Sequence, residues 1–199
     1  MASLLLRLAV CFAIGSIPFA VISMSGSGID IRKVGSGNPG FNNVLRVSTG
    51  RAVIALIGDM GKGYLAVWLV LRTWPVPQAW PSAIGWGWIC GFAAVLGHCF
   101  SPLLRFNGGK GVATSGGVML VLYPFWAVIA LVYFVVSRVI MGKLKWPEAG
   151  ATASLTTWIL FTILMVIFVG HIDAGYSAIM TAFLFARHHA NLKKLLAGT

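Results

Sequence analysis

The chain has 199 residues, of which 58% are hydrophobic and only 10% charged, and its mean hydropathy is +0.89. These values lie outside the range of soluble globular domains, and so apolar a chain has no soluble basic face for nucleic acid. Fifteen Lys and Arg against four Asp and Glu give a net charge of +11, which suits anionic membrane lipids and a phosphorylated substrate.

The few acidic residues and cysteines argue against a metal centre. A two-metal site needs several converging carboxylates, and the whole chain has four. These are Asp30, Asp59, Glu148 and Asp173. The cysteines at 11, 90 and 99 lack metal-ligand or CxxC spacing and are interpreted as packing residues. We therefore expect no metal ion.

Apolar runs recur along the whole chain, and a crossing of the ~30 Å hydrocarbon core takes about 20 helical residues. The runs cover about residues 3–22, 52–71, 83–100, 111–122, 124–141, 151–169 and 174–187. The first run lacks the basic start of a signal peptide and is interpreted as a retained helix. The predicted fold is an all-α membrane protein. It is a polytopic bundle of about seven transmembrane helices with glycine-rich, partly re-entrant cytoplasmic loops, forming one domain over 1–199.

Tyr123 and Pro124 divide the fourth run from the fifth, although one long kinked helix over 111–137 is the alternative. Charge favours the division. With seven spans and the N-terminus outside, only Arg7 and Arg72 lie in outside loops. The inside loops then hold Arg32, Lys33, Arg46, Arg51, Arg105, Lys110, Arg138, Lys143, Lys145, Arg187, Lys193 and Lys194. Six spans would move the last six of these outside, against the positive-inside bias.

Two connecting loops have unusual composition. The loop over 25–50 is too long and too rich in glycine for a simple turn, and it predicts a functional, partly re-entrant element. The outside loop over 73–82 predicts an interfacial connector carrying part of an aromatic belt. Its aromatic and proline residues are Trp74, Pro75, Pro77, Trp80 and Pro81.

The first loop carries a candidate phosphate site in the motif GSGNPG at 35–40. Glycines permit positive φ and close approach, so successive backbone N–H groups can face an anion. Polar side chains add donors and an arginine adds a bidentate fork. The glycines are Gly35, Gly37 and Gly40, and the side chains are Ser36, Asn38, Asn42, Asn43 and Arg46. The alternative is a glycine-rich connector without a ligand.

A second glycine-rich loop, FNGGKGVAT at 106–114, opens the fourth run. Lys110 would stand beside the N–H groups of a helix N-terminus, where the dipole also favours an anion. The glycines around it are Gly108, Gly109 and Gly111. A Walker A motif is excluded because Leu104 stands in place of its first glycine. The alternative is a positive-inside lysine between glycine turns.

Asp59 and Lys62 lie three residues apart on one face of the second predicted helix. An unpaired charge at mid-bilayer costs roughly 2.5–3.5 kcal/mol, which predicts mutual pairing or a polar cavity. An ion pair that locks the helix and a direct catalytic role are the two alternatives, and both can hold if the pair supports the first loop. His98, at the inner end of the third run, is a candidate cap, substrate contact or base.

His188, His189 and Asn191 end the last predicted helix at the same membrane face. The helix dipole alone favours histidine at a C-terminus, so capping is the alternative to a catalytic role. His171 is interpreted as a solvated residue of an outside connector.

Four segments occur in order along nearly the whole chain: GSGNPGFNNVLR, GDMGKG, GHCFSPLLRFNGGKGVAT and RHHANLKKL. Together with the hydropathy pattern they resemble the bacterial acyl-phosphate-dependent glycerol-3-phosphate acyltransferases. The resemblance implies a seven-helix enzyme of the inner membrane with a cytoplasmic active site and a cytoplasmic C-terminus. It would transfer a fatty acyl group from acyl phosphate to glycerol 3-phosphate, giving lysophosphatidic acid. No metal, cofactor or obligate protein partner is implied.

The resemblance also implies roles for residues at matching motif positions. The catalytic set comprises Ser36, Asn38 and Arg46 of the first loop, Lys110 of the second, and His188 and Asn191 near the C-terminus. The loop glycines, Asn42, Asn43 and His98 are assigned to substrate binding, with a supporting role as the alternative for Asn43 and His98, and Asp59 and Lys62 are assigned supporting roles.

The chain departs from the family pattern at three places. Asn42 replaces a threonine, and Pro102 stands one place late in the His98 motif. A Tyr-x-Ser-Leu-Ser type segment before the sixth run is replaced by KWPEAG at 145–150. The substrate contacts of that segment are therefore open.

The spacing of histidines and carboxylates bears on the acyl donor. Soluble-type acyltransferases use a histidine as the base for attack on a thioester, and an aspartate five positions later orients its imidazole. No such pair occurs in this sequence, which favours an acyl phosphate as the donor.

The rival function is a small anion or organophosphate transporter, which also suits cationic glycine loops. Against it, only Asp59 and Lys62 lie at mid-membrane.

Overall fold

A computed structural model describes residues 2–76 and 82–197. Within those ranges it contains ten α-helices, two 3₁₀-helices and no β-strand. Residues 77–81 of the predicted aromatic connector, including Pro77, Trp80 and Pro81, lie outside the described residues. That part of the connector stays a prediction.

The first apolar run is broken, whereas the sequence predicted one helix over 3–22. Helix α1 spans Ala2–Gly15 and helix α2 spans Phe19–Ser23. Pro18 accounts for the break because it lacks a backbone donor and disfavours helical geometry in the residue before it. The whole stretch Leu4–Ser23 is still long and apolar enough to cross a membrane.

The other helices coincide with the remaining apolar runs to within a few residues. They are α4 (Thr49–Thr73), α5 (Ala83–Cys99), α6 (Val112–Leu122), α7 (Pro124–Lys143), α8 (Ala149–Phe168) and α9 (His171–Arg187). Two further short helices, α3 (Phe41–Val44) and α10 (His189–Ala197), lie outside the predicted runs. The 3₁₀-helices are Ile31–Lys33 and Pro102–Leu104. Pro124 stands at the start of α7, where proline is tolerated, and this confirms the predicted division between the fourth and fifth runs.

Five segments of the described chain are long and apolar enough to cross a membrane. They are Leu4–Ser23, Thr49–Thr73, Ala83–Leu104, Pro124–Lys143 and Ala149–Phe168. Helix α6 is apolar but has 11 residues, about 16 Å or roughly half of the hydrocarbon thickness. Helix α9 has 17 residues. The all-α polytopic membrane fold is confirmed, and the crossings by α6 and α9 stay predictions.

The described helices form two compact units, one ending at Leu122 and the other beginning at Tyr123. In the second unit, hydrogen bonds between side-chain hydroxyl groups link α8 to α9. Thr162 lies 2.8 Å from Ser177 and 2.9 Å from Thr181, oxygen to oxygen. Such contacts between helices satisfy polar side chains without water.

In the first unit, α5 runs antiparallel to α4. His98 near the end of α5 lies beside Asp59, with Nδ1 3.5 Å from Oδ1. Near the start of α5, a Cβ on Gly87 would lie 3.6 Å from Cγ1 of Val67. The end of α5 thus faces the first half of α4, and its start faces the second half.

Helix α5 also runs antiparallel to α6. A Cβ on Gly91 would lie 2.4 Å from Val118 Cγ1, and one on Gly87 would lie 2.5 Å from Leu122 Cδ2. Since α4 and α6 are both antiparallel to α5, they run in the same direction. The glycine-rich loops that precede α4 and α6 therefore lie at the same end of this unit.

Candidate active site

Asn43 holds the first glycine-rich loop together. The residue is 1% exposed. Its Nδ2 donates to the carbonyl oxygens of Ile31 at 2.9 Å and Val34 at 3.0 Å, while its Oδ1 accepts from Ser36 N–H at 3.0 Å. Both amide hydrogens are used by the loop backbone. Asn43 therefore stabilises the fold of the loop backbone, and its predicted contact with substrate stays a prediction.

Gly35 allows the first loop to turn tightly above Asn43. Its φ is +59°, and an added Cβ would lie 2.3 Å from Asn43 Oδ1 and 3.5 Å from Arg46 Nη1. The guanidinium of Arg46 thus lies beside the same turn. Ser36 Oγ accepts from Asn38 N–H at 3.4 Å. Three of the predicted phosphate contacts, Ser36, Asn38 and Arg46, are gathered around this turn.

The other arginines near this loop are occupied by structural contacts. Arg32 pairs with Asp30 at 2.9 Å, and its side-chain hydrogen bond lowers the pKa of Asp30 to about 2. Arg51 Nη1 donates to the carbonyl oxygens of Ser23 and Ser25 at 2.6 and 2.8 Å. Within the described residues the exposed Arg46 guanidinium makes no hydrogen bond or ion pair, which leaves it available to an anion.

The second loop folds directly onto the end of α5. Gly108 N–H donates to Cys99 O at 3.1 Å, and Gly109 N–H donates to His98 O at 3.2 Å. A Cβ on Gly108 would lie 2.0 Å from His98 O, and a Cβ on Gly109 would lie 2.1 Å from His98 Nε2. Only glycine fits such close approaches.

Lys110 lies two residues before the first residue of α6, as the sequence predicted. Its side chain is half-buried. Helix α6 packs on α4 backbone to backbone, since a Cβ on Gly63 would lie 2.0 Å from Thr114 O. The packing fixes the helix N-terminus, whose dipole favours an anion beside Lys110.

Asp59, Lys62 and His98 form a buried polar cluster under the second loop. Lys62 Nζ lies 2.8 Å from Asp59 Oδ1, which confirms the predicted pairing. It also donates to Ile17 O at 2.6 Å, a carbonyl exposed by the helix break. His98 Nδ1 lies 3.5 Å from the same Asp59 oxygen. The cluster ties α4, α5 and the break between α1 and α2 together.

The depth of this cluster indicates how far the second loop enters the bundle. Asp59 lies ten residues beyond Thr49, the start of α4, which corresponds to roughly 15 Å along the helix axis. His98 contacts Asp59 on one side and the second loop on the other. The second loop thus contacts α5 at this level of the unit, and its partly re-entrant position in the membrane stays a prediction.

Near the C-terminus, His188 is 3% exposed, and its Nδ1 lies 2.8 Å from Leu184 O. A carbonyl oxygen only accepts, so Nδ1 carries the proton. Asn191 Nδ2 donates to the carboxylate of Glu148. His189 is exposed, and His171 is the exposed first residue of α9.

Two side-chain contacts, one in each unit, lie beyond the reach of local sequence patterns. Glu148 belongs to the segment where the family resemblance fails, and it meets Asn191 across 43 residues of chain. Ser101, at the departure in the His98 motif, donates from Oγ to Ser16 O at 2.6 Å. The helix break that exposes this carbonyl gives Ser101 a structural partner.

Comparison with known proteins extends over nearly the whole chain. A family profile described as glycerol-3-phosphate acyltransferase matches residues 5–198. Glycerol-3-phosphate acyltransferase 1 of Deinococcus radiodurans is 39% identical over 196 residues, covering 98% of this chain and 93% of the relative. The glycerol-3-phosphate acyltransferase of Aromatoleum aromaticum is 36% identical over 198 residues, covering 98% and 94%.

Two crystal structures of PlsY (YgiH), an integral membrane glycerol 3-phosphate acyltransferase, have the same fold. The glycerol 3-phosphate form is 28% identical and the lysophosphatidic acid form 26% identical, each with a TM-score of 0.80. Each comparison covers 98% of this chain and 93% of the solved chain. With both glycine-rich loops inside the matched region, the chain belongs to the glycerol-3-phosphate acyltransferase family.

Proposed function

We propose that this protein transfers a fatty acyl group from an acyl phosphate to the 1-hydroxyl of glycerol 3-phosphate, releasing lysophosphatidic acid and phosphate. The observation that carries the proposal is the position of Arg46 and Lys110 in two glycine-rich loops at one end of the first unit. Fixed cations beside backbone N–H groups suit phosphate groups. The glycerol 3-phosphate and lysophosphatidic acid forms of the related PlsY support it.

In the proposed reaction, the glycerol hydroxyl oxygen bonds to the acyl carbonyl carbon, and the bond from that carbon to the phosphate oxygen breaks. Arg46 and Lys110 neutralise phosphate charge, and Ser36 binds phosphate. Asn38 and loop N–H groups hold the carbonyl as negative charge develops. The departing phosphate takes the hydroxyl proton. His188 is assigned as an orienting group or alternative base, and Asn191 as a substrate contact.

The fold contains a carboxylate–imidazole pair that sequence spacing did not reveal. Asp59 Oδ1 lies 3.5 Å from His98 Nδ1. We assign this pair to positioning the second loop, because His98 Nε2 is covered by Gly109, whose added Cβ would lie 2.1 Å away. An acyl phosphate has less need of a protein base, since phosphate leaves readily once cations neutralise it.

The decisive assay offers the purified protein glycerol 3-phosphate together with acyl phosphate, acyl-CoA or acyl carrier protein thioester in turn. We expect lysophosphatidic acid from acyl phosphate alone. Efficient turnover of either thioester would overturn the proposed donor. The rival transporter function is tested on the same sample in liposomes, where phosphate flux without acyl transfer would replace the enzyme proposal.

The proposed orientation places both loops and the C-terminus in the cytoplasm of a bacterial inner membrane, with the N-terminus outside. Single cysteines in 23–50, in 101–110 and in the C-terminal tail should be protected from an impermeant thiol reagent in intact cells. The native cysteines at 11, 90 and 99 are buried and are replaced in the background. Labelling of the tail without permeabilisation would contradict this orientation.

A further inference from the structure

The segment 145–150 ends in a glutamate that its local structure does not explain. Glu148 has φ 49° and ψ 34°, a left-handed conformation, directly before α8. Glycine is favoured there, since a Cβ adds strain. A residue preceding a helix commonly accepts hydrogen bonds from the first turn, but within the described chain Glu148 makes no such bond. Neither the backbone conformation nor helix capping therefore explains why a glutamate occupies this position.

The carboxylate of Glu148 reaches α10 instead. One oxygen, Oε2, accepts from Asn191 Nδ2, and the other, Oε1, lies 3.8 Å from Lys194 Nζ. The Glu148 side chain is 15% exposed and that of Lys194 is 61% exposed. Because an exposed ion pair contributes little, the hydrogen bond to Asn191 is the more important contact.

This contact determines how the Asn191 amide is oriented. Within its described residues α10 has no fully buried residue, so apolar packing holds this helix only through half-buried side chains such as Leu192 and Leu195. A carboxylate only accepts hydrogen bonds, and it must therefore face the amide nitrogen rather than the amide oxygen. The carbonyl oxygen, Oδ1, is then presented by the other edge of the amide.

We propose that Glu148 is a positioning residue for acyl transfer. It fixes the Asn191 amide so that Oδ1 accepts a hydrogen bond from a hydroxyl of glycerol 3-phosphate. This inference rests on the proposed function, in which Asn191 contacts the substrate. It assigns a role to the segment 145–150, where the chain departs from the family pattern.

The test is Glu148→Gly, which removes the carboxylate and also relieves the left-handed strain. We expect kcat/KM for glycerol 3-phosphate to fall about tenfold while the Tm stays equal or rises. The matched control is Lys145→Gly. Lys145 is exposed and has φ 53° in the same loop, so this variant relieves similar strain and should keep wild-type activity. A purely structural role for Glu148 would not separate activity from stability.

A double variant tests whether Glu148 affects activity through Asn191. In an Asn191→Ala background, Glu148→Gly should cause no further loss, because the group that it positions is absent. Wild-type activity in Glu148→Gly, or a second full loss in the double variant, would overturn the inference. If the wild-type protein fails to acylate glycerol 3-phosphate from acyl phosphate, the proposed function falls and the inference falls with it.

Discussion

Replacing Lys110 by alanine is expected to lower kcat/KM for acyl transfer by about a hundred- to a thousandfold, the range seen when one preorganised charge-stabilising group is lost. The Lys110 side chain is half-buried and lies just before the N-terminus of α6. Water is partly displaced there, so a fixed cation interacts more strongly with phosphate than it would in bulk solvent. Initial rates of lysophosphatidic acid formation measure the effect.

The control for this variant is Lys143→Ala. Lys143 is the exposed last residue of α7 and is not part of either glycine-rich loop, so its replacement changes the net charge equally and leaves the residues of both loops unchanged. We expect wild-type rates from it. A folded Lys110→Ala protein with wild-type turnover would eliminate Lys110 from the proposed mechanism.

The helices could be predicted from the sequence because each membrane span requires a continuous run of apolar residues. A run of about 20 apolar residues predicts a span, and Pro124, together with the charge balance of the loops, favours a helix start at that position. The break at Pro18 was missed because proline is tolerated in membrane helices when neighbours satisfy the freed carbonyls. Lys62 and Ser101 provide that satisfaction here, from distant parts of the chain.

The candidate site was predictable only as far as its motifs are local. Glycines beside Lys110 or Arg46 indicate an anion-binding loop without knowledge of the fold. The partners of other candidate residues come from distant parts of the chain: Asp59 of α4 lies beside His98 of α5, and Glu148, just before α8, accepts a hydrogen bond from Asn191 of α10. No spacing rule links such pairs, because only the packing of the helices brings them into contact.

The first loop gives the second large effect, from Gly35→Ala. The new Cβ would lie 2.3 Å from Asn43 Oδ1, so the buried amide must move and release Ser36 N–H. A buried hydrogen-bonding group left unsatisfied costs about 1–3 kcal/mol, and the turn beside Arg46 is displaced as well. We expect kcat/KM for glycerol 3-phosphate to fall about a hundredfold, the cost of a misplaced binding group.

Gly26→Ala is the matched control, because both glycines precede α4 and both have positive φ, +73° at Gly26 and +59° at Gly35. Each alanine therefore pays a similar left-handed penalty, about 1–2 kcal/mol. A Cβ on Gly26 meets no atom within 4 Å, so activity should stay within about twofold of wild type, as for a surface change without a specific contact. Equal losses of activity in the two variants would mean that backbone strain alone is responsible. The hydrogen bonds between Asn43 and the loop backbone would then not determine the shape of the substrate site.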